Sequence, residues 1–118
     1  MKIEHLAFWS KDIETLKDFY VAFFDAQCNK KYTNTTKGFE SHFLSFDDGA
    51  RLEIMQMPNL NDSKGVNEKY VGLAHFAVSV GSREAVDNLT EKLSSEGYVI
   101  FSQPRITGDG YYESIVLD

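Results

Sequence analysis

Leu73-Ala74-His75-Phe76-Ala77-Val78 nearly repeats Ile3-Glu4-His5-Leu6-Ala7-Phe8, 70 residues earlier in the chain. Each copy reads apolar, variable, His, apolar, Ala, apolar, which is the pattern of a strand carrying one histidine at a fixed place. A helical pattern follows both, over 12–25 and 82–96. Two imidazoles at matching points of a duplicated module would be related by a pseudo-twofold axis, and that is one way to build a metal site.

The rest of the chain continues the duplication. In residues 2–9, Ile3, His5, Ala7 and Trp9 share one face and Leu6 and Phe8 the other, because successive strand side chains point oppositely. Ser10 is the expected N-cap of the first helix, with Asp12 and Glu14 in its first turn. Ile13, Leu16, Phe19, Tyr20, Phe23 and Phe24 form its apolar stripe. Short strands are expected over 28–33, 39–46 and 50–55, the last two joined by the Asp47-Asp48-Gly49 hairpin. Pro58 and the polar residues after it make 58–71 the expected linker. The second half then offers a strand over 73–80, a helix capped by Ser82 and closed by Gly97, a strand over 99–101 ended by Gln103-Pro104, and a last strand over 111–117. The order is β-α-β-β-β, linker, β-α-β-β, so the second module is one strand short. Its bounds are about 1–57 for module 1 and about 72–118 for module 2, within one domain of 118 residues.

Composition narrows the classes of function. A net charge of −6 with no Lys/Arg cluster argues against a nucleic-acid partner. No apolar run reaches the roughly 20 residues that span a bilayer. The N-terminus lacks the unbroken apolar core of a signal peptide. With only Cys28, an internal disulfide is impossible and a reducing cytoplasm is expected; Cys28 itself reads as an inert buried thiol.

Aligning the halves by the strand before each hairpin pairs His42 with Glu113, at an offset of 71, while His5 pairs with His75. Imidazole and carboxylate together suit a divalent ion such as Zn, Ni, Co, Mn or Fe. Bland readings stand beside this one. A single His on an apolar strand can be a satisfied core residue, Glu53 can be a solvated charge paired with Arg51, and Glu113 can be an edge charge.

Ile3 to Phe8, Arg51-Leu52-Glu53-Ile54-Met55, Leu73 to Val78 and Gly110 to Asp118 resemble the vicinal-oxygen-chelate superfamily, the group of glyoxalase I, bleomycin-resistance proteins and extradiol dioxygenases. The resemblance covers the whole chain. It implies an α+β fold of two βαβββ modules forming a cupped mixed sheet around a central cavity, commonly as a homodimer. It implies His5, Glu53 and His75 as metal ligands. The family's fourth ligand follows an Asp-Pro-x-Gly turn; this sequence stops at the Asp, Asp118, so a longer chain with a further strand is expected.

Three functions follow from that resemblance. The first is a glyoxalase-I-like, metal-dependent lyase or isomerase acting on a small oxygenated substrate through an enediolate, with Glu53 or Glu113 moving the proton and Trp9, Phe39, His42 and Tyr111 lining the pocket. The second is a metal-free protein of the bleomycin-resistance type that sequesters a ligand. The third is another metal-dependent transferase or dioxygenase, for which two His and one Glu suit Fe(II). No Arg/Asn signature points to glutathione.

Overall fold

The Asp47-Asp48-Gly49 turn closes an antiparallel hairpin between β4 (Phe39–Ser45) and β5 (Arg51–Gln56), and Gly49 supplies the positive φ of +90° that the turn requires. In this computed structural model, residues 1–62, 65, 69 and 71–118 are described. The fold is α+β. The chain divides into two compact units, residues 1–62 and 63–118. The linker expected over 58–71 lies partly outside the described residues.

In the first unit the hairpin is the middle of a mixed sheet in the order β1-β5-β4-β2, where β1 is His5–Trp9 and β2 is Gln27–Cys28. β1 runs parallel to β5 and pairs His5 with Arg51 and Ala7 with Glu53. The single strand expected over 28–33 is two short ones, β2 and β3 (Tyr32–Asn34), both paired to β4. Helix α1 (Ile13–Phe24) covers one face of the sheet and seals Leu44, Leu52 and Ile54 beneath Ile13, Phe19 and Tyr20. Burying that much branched and aromatic surface is the main stabilising term of the unit, at about 1.5–3 kcal/mol per fully buried large side chain. The N-cap is Asp12, not Ser10. Its carboxylate accepts from the Glu14 and Thr15 amides, whereas the Ser10 hydroxyl accepts only from Asp12 N. The side-chain oxygen of Gln56 takes the Ile13 amide, another of the donors a helix start leaves free.

In the second unit α2 (Arg83–Ser95) is capped by Ser82 and packs on the antiparallel pair β6 (Ile100–Ile106) and β7 (Tyr112–Val116). Gly97, at φ +91°, ends the helix while the Tyr98 amide reaches back to the Leu93 carbonyl. Pro104 does not end β6; the register shifts between Ser102 and Arg105, and an irregularity there accommodates a residue with no N–H. The strand expected over 73–80 has no ladder among the described residues. Its burial still alternates as in β1: His75, Ala77 and Ser79 are exposed, while Phe76 and Val78 are half-buried. In the first unit β1 is held by its parallel neighbour β5, and the described part of the second unit has no counterpart of β5.

Capping shows the duplication directly. Asp12 and Ser82 cap their helices 70 residues apart, the same interval as His5 and His75.

Candidate metal centre

β1 and β5 lie side by side and in parallel, so His5 and Glu53 project from neighbouring strands on the face away from α1. His5 Nε2 lies 3.8 Å from Glu53 Oε2. The other imidazole nitrogen, Nδ1, is hydrogen-bonded to the Glu4 carboxylate. An ionised carboxylate only accepts, so Nδ1 carries a proton, and in the neutral ring Nε2 would present its lone pair. Glu4 is held in turn by Arg51, whose Nε donates at 2.8 Å and whose Nη2 makes a second contact. His5, then Arg51, hold the Glu4 carboxyl below its ordinary range. Arg51 therefore pairs with Glu4, which sets aside the alternative reading of Glu53 as a charge paired with Arg51. That leaves Glu53, with a side chain 18% exposed, facing the imidazole.

Phe43 completes the arrangement. It sits edge-on to the His5 ring, with centroids 5.4 Å apart and planes at 83°, and the Arg51 guanidinium lies 4.2 Å above its centre. His5, Glu4, Arg51 and Phe43 thus form a closed ring of contacts around one side of the imidazole. Farther along the same face, Trp9 meets Phe39 edge-on at 6.0 Å and Phe39 meets Tyr32 at 6.1 Å, so a row of three aromatics crosses the sheet.

His42 is on the other side of the sheet. Alternation along β4 turns it toward α1, where Nε2 donates to Glu14 at 3.1 Å and Nδ1 lies 3.2 Å from Cys28 Sγ and 3.3 Å from the Asn29 carbonyl. That removes His42 from the face carrying His5 and Glu53. Burial holds the Cys28 thiol above its ordinary range, although nearby Lys17 opposes the shift, so the cluster does not favour a thiolate.

In the second unit, Tyr112 donates to Asp87 and Ser114 meets Thr90, both at 2.7 Å on α2. Glu113, between them, therefore faces away from the helix; Arg105 Nη2 lies 3.7 Å from its carboxylate. The pairing of His42 with Glu113 at an offset of 71 is corrected by these faces. At an offset of 70 Glu113 corresponds to Phe43, the residue against His5. His75 is exposed. Tyr111 is 68% exposed, and its main chain closes the turn from Thr107. An open depression of about 370 Å³, bordered by Asp87, Thr90, Glu91, Gln103 and Pro104, lies on the helix side and contains none of the expected residues.

Among the described residues no group of three or more His, Cys, Asp or Glu side chains is gathered to hold an ion. His5 Nε2 and Glu53 Oε2 lie 3.8 Å apart, a spacing at which one divalent ion could lie about 2.1 Å from both donor atoms. The carboxylate on Nδ1 is the outer contact that ligating histidines usually make. The donor set fits.

A family model described as the Glyoxalase/Bleomycin resistance protein/Dioxygenase superfamily matches residues 2–118. The Bacillus subtilis (strain 168) protein YqjT is 27% identical over 113 residues, covering 93% of this chain and 85% of its own. The glyoxalase family protein from Enterococcus faecalis is 20% identical with a TM-score of 0.78, over 99% of this chain and 89% of that one. Glyoxalase I from Zea mays is 19% identical with a TM-score of 0.77, over 99% of this chain and 41% of that one. At such identities the likeness to these two structures establishes the fold alone.

Proposed function

Because the chain belongs to the Glyoxalase/Bleomycin resistance protein/Dioxygenase superfamily, we propose that it is a glyoxalase-I-like, metal-dependent lyase or isomerase acting on a small oxygenated substrate. The observation that carries the reading is His5 Nε2 facing Glu53 Oε2 at 3.8 Å while Glu4 occupies Nδ1. His5 and Glu53 are the proposed ligands from the first unit, and His75, at the equivalent position of the second, is proposed as a further one. A bound divalent cation (Ni, Zn, Co, Mn or Fe) would supply Lewis-acid stabilisation of the charge that develops on a substrate oxygen.

The chain's own groups supply the rest. Glu113, on the face away from α2, is the proposed carboxylate that moves a proton α to the substrate carbonyl; Glu53 is the alternative base. Trp9 and Phe39 offer an apolar wall on the His5 side of the sheet. A homodimer and a cytoplasmic setting belong to the same proposal.

Elemental analysis of the purified protein beside its His5→Ala and His75→Ala variants tests it. The expected result is about one ion per site in the wild type and loss in both variants. A wild type that takes up none of the five ions sinks the reading. A second reading, a metal-free protein that sequesters an aromatic ligand, is favoured by the open row Trp9, Phe39 and Tyr32, and would then be pursued by ligand-binding measurements.

A further inference from the structure

The duplicated modules differ at the residue before the histidine. The second has Ala74, whereas the first has Glu4, and Glu4 touches both His5 and Arg51. The main chain fixes the same place: the Arg51 amide donates to the Glu4 carbonyl at 3.0 Å, and His5 pairs with Arg51 across β1 and β5. Arg51 cannot easily swing away, since its guanidinium is also stacked 4.2 Å above Phe43, the ring that bounds His5 on its other side. The Glu4 carboxylate is thus clamped by a residue that is itself clamped.

We propose that Glu4 is a positioning residue: held by Arg51, it fixes His5 with the proton on Nδ1 and the Nε2 lone pair turned toward Glu53. This rests on the reading of His5 and Glu53 as a metal half-site. It assigns to the first module an orienting carboxylate at the position where the second has Ala74. Without Glu4, the ring would be free to take the opposite tautomer and to rotate about its Cβ–Cγ bond, so that the lone pair faces Glu53 only part of the time. A ligand held in one tautomer and one orientation binds an ion about 10–100-fold more tightly than one that is not.

The test has two readouts on the full chain. In metal-free protein labelled with 15N at histidine, long-range 1H–15N spectra at about pH 8, above the ordinary imidazole range, report the tautomer of His5. The wild type should show the Nδ1–H form, Glu4→Ala should shift it toward Nε2–H, and Glu4→Gln, which keeps an acceptor oxygen, should restore Nδ1–H. Calorimetric titration with Zn2+ should then show binding about 10–100-fold weaker in Glu4→Ala. An unchanged Nδ1–H signal in Glu4→Ala overturns the assignment, as does a tautomer change that leaves Zn2+ affinity unmoved. A wild type that binds no Zn2+, Ni2+, Co2+, Mn2+ or Fe2+ overturns the half-site instead, and the spectra still decide whether Glu4 orients His5.

Discussion

His42 Nε2 lies 3.1 Å from Glu14 Oε1, tying the buried side of β4 to the first turn of α1. Lys17 first, then His42 and Lys31, hold the Glu14 carboxyl down from 4.5 to about 2. A carboxyl depressed in the folded state stabilises the fold above its unfolded pKa, and that contribution is lost as pH falls through the folded value. The window is therefore about 4.5 down to about 2. Glu14→Gln should melt at a lower temperature than the wild type near neutral pH, with the gap closing across that window. Because the Glu14 side chain is 49% exposed, solvent screening keeps the gap small. Thermal denaturation followed by circular dichroism at several pH values checks this; a gap that persists unchanged at the acid end would count against it.

The two histidines of the first unit should separate cleanly. His42 is 6% exposed and bonded at Nε2, so His42→Ala should cost about 1–3 kcal/mol of stability while leaving the proposed ion binding intact. His5 stands on the open face, so His5→Ala should change stability by no more than about 0.5 kcal/mol and abolish the proposed half-site. Urea denaturation and metal titration of both variants give the comparison. Ion loss in His42→Ala, with the fold preserved, would contradict the placement of His42.

Asp12 and Ser10 make a second contrast. The Asp12 carboxylate takes two amides and the Thr15 hydroxyl, so Asp12→Ala should destabilise by about 1 kcal/mol. Ser10→Ala removes only a contact to the Asp12 amide and should cost less than half as much. Equal losses in urea denaturation would return the cap to Ser10.

Period-two alternation made the faces of β1 and β4 legible, and the shared spacing of the histidines made the duplication legible. The offset was harder. Sequence similarity around the two hairpin strands favoured 71, yet a one-residue slip sends every side chain to the opposite face; only the contacts of Tyr112 and Ser114 with α2 identify 70. Long-range partners were also hidden. Glu4 and Arg51 are 47 residues apart, and Arg51 stood nearer to Glu53 in sequence, on the same strand face. Likewise the alternation of 73–80 was readable, but a ladder depends on a neighbouring strand, which local sequence cannot report. Ser10 and Asp12 are both good capping residues by type, so only the position of the first helical turn separates them.

The corrected offset carries the last expectation. Placing Glu113 where the first unit has Phe43 puts a carboxylate, in place of an aromatic edge, at the position that adjoins the module's histidine in the first unit. Arg105 lies 3.7 Å from that carboxylate, and the side chain is 40% exposed, so it remains open to solvent. Glu113→Gln keeps the shape and removes the basic oxygen. If Glu113 moves the proton, turnover of a 2-oxoaldehyde-derived substrate should fall by about 10²–10⁴-fold with ion content unchanged. Glu53→Gln should instead lower ion content together with activity. Steady-state kinetics alongside elemental analysis separates the two carboxylates: full activity in Glu113→Gln assigns the base elsewhere, and loss of the ion in that variant makes Glu113 a ligand instead.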